Sequence, residues 1–174
     1  LVALALGLVL GGHLGSLAEL RLRATWLFFL AVGLQVVAFP FGFLPWSTHG
    51  AVATGLWIAS YGVLIVATLV NVRITGVPII AAGMCLNLGA ILANRGTMPV
   101  RHGAMLAAGD EYGTSANSTA LADPHLGWLV DRWAAPDWIP LANVFSIGDV
   151  VIAAGAFVIV LSAMGVRLPR HVKS

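Results

Sequence analysis

The sequence predicts an all-α fold: an integral membrane bundle of five transmembrane helices with a short extracytoplasmic interfacial helix. Three observations lead there. Of 174 residues, 59% are hydrophobic and 9% charged, and 20 glycines lie outside the hydrophobic count. An ordinary soluble domain carries about 25% charged residues, and this few cannot cover so much apolar surface in water. Five apolar stretches reach or approach the roughly 20 residues that cross a bilayer. The cations cluster in alternate connections, as they do where one face of a membrane is cytoplasmic.

The same composition excludes other classes. A net charge of +2 makes no basic stripe for nucleic acid. The lone Cys85 forbids an internal disulfide and a cysteine metal cluster, and reads as a small buried hydrophobe. His102 and His125 have no metal-ligand spacing, and Gly96 and Gly103 open no phosphate loop. Only His13 lies well inside a span, so no pair of axial haem ligands is available. No cofactor and no metal is expected. The chain starts at Leu1 within apolar sequence, which reads as a trimmed N-terminus, and no cleavable signal peptide is assigned.

The first span is expected over 1–17, as part of a single membrane domain covering 1–174. Ala3, Gly7, Gly11 and Gly15 recur every fourth residue, a small-residue ridge that admits a close neighbour. The Gly7/Gly11/Gly15 face is therefore a candidate surface for another membrane protein, alongside the lipid bilayer itself. His13 points off the ridge and reads as a packing residue. Glu19, Arg21 and Arg23 form a charged turn before the second span, 24–44, which carries Trp26 near one interface, Gln35 mid-span and Pro40 near its end. Trp46 marks the other interface in a turn without Lys or Arg.

The third span, 51–70, holds Thr54, Ser60, Tyr61 and Thr68 as interhelical donors, and Arg73 follows it. The fourth, 74–94, tolerates Pro78 in its first turn. Gly83, Asn87, Ala90 and Asn94 are spaced four, three and four apart, so two carboxamides share one small-residue face. Residues 95–138 are expected to form an extracytoplasmic loop. Within it, Asp123-Pro124 signals a helix start, and Leu126, Leu129, Val130 and Trp133 form an apolar face beside Trp128 and Trp138, hence the interfacial helix. The fifth span, 139–166, ends in Arg167, Arg170 and Lys173.

Arg21, Arg23, Arg73 and the C-terminal cations fall on one side, which the positive-inside rule makes cytoplasmic. The expected location is the bacterial inner membrane, with the N-terminus outside and the C-terminus inside. The loop is then outside, and its cations are outnumbered by Asp110, Glu111, Asp123, Asp131 and Asp137.

Asp149 is the residue that this layout makes most telling. At about 1.5 Å per helical residue, it would lie roughly 10–15 Å below the outer interface, where an acid is a functional-site hypothesis by default. Ala142, Ser146, Asp149, Ala153 and Ala156 share its side of the helix. Asp149 either pins helix packing or works in a site, with the asparagine face as neighbour. Asp131, next to Arg132, is either an exposed paired acid or a second carboxylate. Two converging acids share a proton, one activating water while the other donates to a carbonyl.

Two resemblances follow from short motifs. Arg21-Leu22-Arg23 with Gln35, Asn94-Arg95-Gly96-Thr97-Met98-Pro99-Val100 and Val144-Phe145-Ser146-Ile147-Gly148-Asp149 resemble an uncharacterised bacterial family of small multi-pass membrane proteins. This covers most of the chain and implies no activity. In the C-terminal part, Gly127-Trp128-Leu129-Val130-Asp131-Arg132, Phe145-Ser146-Ile147-Gly148-Asp149 and Asn87-Leu88-Gly89-Ala90 are similar to motifs of bacterial lipoprotein signal peptidases. That resemblance implies a catalytic dyad of Asp131 and Asp149. Trp128 and Ser146 stand where those motifs carry asparagines, and the two spans that precede the first acid in that family are absent here.

The leading expectation is an inner-membrane protein of unknown activity, with a polar site of Asn87, Asn94, Met98, Pro99, Ser146 and Asp149 opening outward. The alternatives are an aspartyl peptidase or hydrolase acting on a lipid-linked or membrane substrate, and a structural subunit of a larger membrane complex.

Overall fold

The computed structural model describes residues 1–39, 48–108, 114–115, 118–121, 123–135 and 144–166. The expected turn at Pro40 and Trp46, the loop acids Asp110, Glu111 and Asp137, the interfacial Trp138, Ala142 and the cations Arg167, Arg170 and Lys173 lie outside the described residues.

The described chain is mostly helical: α1 (Val2–Val9), a 3-10 helix (Leu14–Glu19), α2 (Trp26–Ala38), α3 (Gly50–Val70), α4 (Val77–Ala93), α5 (His102–Ala107) and α6 (Ile147–Ala163). Two small sheets accompany them. In the first, β1 (Met98–Val100) runs parallel to β3 (Ser118–Ala120), which pairs antiparallel with β2 (Thr114–Ser115). In the second, β4 (Trp133–Ala134) pairs antiparallel with β5 (Val144–Phe145). Helices form in all five expected span regions, but with different bounds. Among the described helices, only the 21-residue α3 is long and apolar enough to cross a membrane by itself. The helices α2, α4 and α6 are apolar and shorter, at 13, 17 and 17 residues.

The first expected span is interrupted. α1 stops at Val9, and Gly11 adopts φ +81°, a left-handed conformation that ends a helix. The Gly7/Gly11/Gly15 ridge is therefore not one helical face. Gly7 is buried against Leu161 of α6 and Met164 just past its end, while no atom would meet a Cβ at Gly11 or Gly15. His13 follows the break and donates its backbone N–H to Met164 O at 2.9 Å.

The expected interfacial helix is also replaced. Residues 125–129 form successive turns, Leu126 sits at φ +53°, and Leu129 N–H reaches Leu126 O at 2.7 Å. Asn94 supplies the reason, because its side chain occupies both backbone polar groups of His125. Leu129 and Val130 are buried as that apolar face requires, but Leu126 and Trp133 are exposed.

Packing follows glycine. α2 lies along α3, α3 touches α4, and α4 lies along α6. Gly76 and Gly83 on one side, Gly148 and Gly155 on the other, are each seven residues apart, about two helical turns. Gly76 faces Gly155 and Gly83 faces Gly148, so the two helices run antiparallel with backbones in contact. A Cβ at Gly83 would lie 2.6 Å from Gly148 O, and one at Gly155 would lie 2.7 Å from Ile80 N. The α6 face against α4 is thus Gly148, Ile152, Gly155 and Ile159. Ala153 and Ala156, expected on the inward face, are exposed. On the other side of α4, Trp57, Ala90, Ile91, Met98 and Leu129 form a core cluster.

Candidate functional site

The polar residues divide between the two ends of the helical bundle. Asn87 belongs to the C-terminal half of α4, and the glycine register sets it opposite the first turn of α6. α6 opens with a capping box: Asp149 N–H donates to Ser146 Oγ at 3.1 Å, and Ser146 N–H donates to Asp149 Oδ2 at 2.9 Å. Two orphan donors of a helix start are satisfied reciprocally, and the carboxylate sits at the positive end of the helix dipole. Asp149 is therefore a first-turn residue. The helix expected from residue 139 starts at Ile147, with β5 directly before it.

Asn87 ties this cap to α4. Its Nδ2 donates to Asp149 Oδ1 at 2.8 Å, and its Oδ1 accepts from Ser146 Oγ at 2.8 Å. Ser146 Oγ also lies 2.8 Å from Asp149 Oδ2. One hydroxyl proton serves one of these two acceptors at a time. Gly148 makes the approach feasible, since a Cβ there would collide with the Asn87 carboxamide. Asn87 is 3% exposed and Ser146 fully buried, while Asp149 is half-buried. Both oxygens of the carboxylate are thus engaged by neighbouring elements.

Asn94 caps the C-terminus of α4 and works on the connecting segment. Its Nδ2 donates to Ala90 O at 2.8 Å and to His125 O at 2.9 Å, and its Oδ1 accepts from His125 N at 2.9 Å. The side-chain amide thereby pairs with a backbone as another strand would. Asn71, which caps α3, repeats the arrangement at the other end of the bundle. It accepts from Arg23 N at 2.7 Å and donates to Arg23 O at 2.9 Å and Ala67 O at 2.8 Å. Nothing in the sequence analysis singled out Asn71. An asparagine ending an apolar helix four residues after a small residue is the pattern both share.

Met98 and Pro99 are buried in β1 rather than open to solvent. Pro99 O accepts from Asp131 N at 2.9 Å, and Arg101 N donates to Asp131 O at 2.9 Å, so Asp131 forms a parallel bridge at Val100. Asp131 is only 5% exposed, which removes the view of it as an exposed surface acid. Its neighbour Arg132 lies over the Trp133 ring, 5.4 Å from the centroid.

Tyr61 completes the region. It stacks edge-on with Trp57 at 5.1 Å and packs against the core cluster between α3 and α4. In the sequence Tyr61 reads as one more interhelical donor beside Thr54, Ser60 and Thr68. Its place in that cluster depends on how α3 meets α4, which no local pattern encodes.

Fold and site together define a class: a mostly helical, glycine-seamed bundle with asparagines pinning its helix ends. The chain belongs to the family of unknown function DUF5317, which matches residues 19–161. The match agrees with the resemblance to an uncharacterised family; it takes in Asn71, Asn87, Asn94, Asp131, Ser146 and Asp149, and leaves out α1. No curated protein and no solved structure matches the chain.

Proposed function

We propose that this protein is a multi-pass component of the bacterial cytoplasmic membrane that serves as a structural or binding module, in which the Asn87–Ser146–Asp149 network locks α4 to α6. The observation that carries this is that both Asp149 carboxylate oxygens are engaged in the helix junction, Oδ1 by Asn87 Nδ2 and Oδ2 by Ser146 N. Those bonds give the carboxylate a structural task, closing a helix cap and joining two helices.

Support for the membrane comes from the outer faces of the helices. Trp26, Phe29, Val32, Val52, Val66, Leu69 and Leu92 are each more than half, or half, exposed, whereas Asn71, Asn87, Asn94 and Ser146 are buried. Apolar outside and polar inside suits lipid and is costly in water. A 17-residue helix is about 25 Å long, near the lower limit for crossing a roughly 30 Å hydrocarbon layer. The positive-inside rule makes the Arg21, Arg23 and Arg73 end cytoplasmic and the Asn94 end extracytoplasmic.

An aspartyl hydrolase is the second reading, favoured by one observation: Asp131 is 5% exposed, a buried acid instead of a solvated surface one. The two readings part on Asp149→Asn and Asp131→Asn in the purified protein. The lock requires Asp149→Asn to lower unfolding stability, with no hydrolysis of a membrane-peptide or lipid-linked substrate by the parent. Hydrolysis by the parent that both substitutions abolish, with stability unchanged, would install the hydrolase instead.

A further inference from the structure

At the end of the bundle opposite Asn87, three arginines meet around a cleft. Arg21, Arg23, Val70, Asn71, Arg73 and Ile74 line a space of about 210 Å³. That is smaller than the roughly 300–1,000 Å³ of pockets that enclose a drug-sized ligand, and suits a small charged group. All three arginines are exposed, and among the described residues no carboxylate forms an ion pair with any of them, Glu19 included. The α3 C-terminus contributes about half a negative charge, against three full positive charges. The positive excess wins, and the cleft is left with a field that calls for an anion.

The cleft is also built rather than incidental. Asn71 is 3% exposed and holds both backbone polar groups of Arg23, with its remaining amide hydrogen on Ala67 O. This fixes the Arg21–Arg23 segment against the end of α3 while, among the described residues, no carboxylate takes up the guanidinium groups. Guanidinium is planar and donates two parallel N–H groups that match the oxygens of a phosphate, a fit a lone ammonium cannot reproduce.

We propose that Arg21, Arg23 and Arg73 form a binding site for a phosphate group, carried either by an anionic lipid headgroup or by a soluble phosphate. The site is separate from the Asn87 network and does not depend on how that network functions.

The test uses the full chain in detergent, with phosphatidylglycerol, phosphatidylcholine and inorganic phosphate as probes. Lipid retention is read by native mass spectrometry, and phosphate binding by calorimetry. Arg23→Gln and Arg73→Gln should each weaken binding about tenfold, while Arg101→Gln, in the α4–α5 connection, leaves it unchanged. Arg73→Lys keeps the charge and loses the fork, so a smaller loss is expected, and it serves as the readout should a glutamine variant fail to fold. Preference for phosphatidylglycerol over phosphatidylcholine identifies a lipid headgroup; phosphate binding with the same arginine dependence and no lipid preference identifies a soluble anion. Absence of binding by both anionic probes, or unchanged binding by folded Arg73→Gln and Arg73→Lys, overturns the site.

Discussion

The Asn87 carboxamide donates to Asp149 Oδ1 at 2.8 Å and so joins the C-terminal half of α4 to the first turn of α6. The bond crosses two elements 62 residues apart in sequence, at the one place where Gly148 lets a side chain reach the cap. A hydrogen bond to a charged group contributes about 1.5–3 kcal/mol, enough to matter in a helix pair whose seam is glycine against backbone.

Ser146 holds both the cap and the crossing. Ser146→Ala removes the acceptor for Asp149 N and the hydroxyl donor to Asn87. A loss of about 1–2 kcal/mol is expected, read by denaturant unfolding of the detergent-solubilised chain. Ser146→Asp, which sets a second carboxylate beside Asp149 at a fully buried position, should cost more than Ser146→Ala.

The glycine seam predicts a sharp contrast among alanine substitutions. Gly155→Ala pushes a methyl toward Ile80 N and Gly76 O, both backbone atoms that cannot step aside. Separation of α4 and α6 should cost about 1–3 kcal/mol. Gly89→Ala, on α4 where no neighbouring atom lies within 4 Å, should be neutral or stabilising by up to about 1 kcal/mol through helix propensity. Equal effects at the two positions would remove the seam from the description.

Asn94 makes a prediction that is local in space. Asn94→Ala leaves His125 N and O without the side chain that pairs with them. Amide hydrogen exchange should accelerate over 123–131 and remain unchanged around Asn71. Asn94→Asp keeps the acceptor and loses both donors, so His125 N stays protected while the bonds to Ala90 O and His125 O are lost.

Much of this was legible beforehand, in pieces. The spacing of Gly83, Asn87, Ala90 and Asn94 marks a polar, small-residue face, and each of those residues is buried. Ser146-Ile147-Gly148-Asp149 carries the capping-box pattern with Asp in the third helical position. It was obscured because the apolar run from 139 hides where the helix starts. The break at Gly11 competes with an apolar periodicity that continues past it, and periodicity does not register a left-handed residue. The turns at 125–129 lie beyond any local signal, since an asparagine 31 residues earlier claims the backbone of His125. Strand β1 pairs with β3 some 20 residues on, again a nonlocal choice. Patterns of spacing thus identified faces and seams; starts, stops and partners were settled by contacts between distant segments.

The most direct test is a double-mutant cycle of Asn87→Ala and Asp149→Ala on the free energy of unfolding in detergent. If the two side chains lock α4 to α6, their effects are coupled by at least about 1 kcal/mol, the double substitution costing less than the sum of the singles. Additivity to within about 0.3 kcal/mol would contradict the lock.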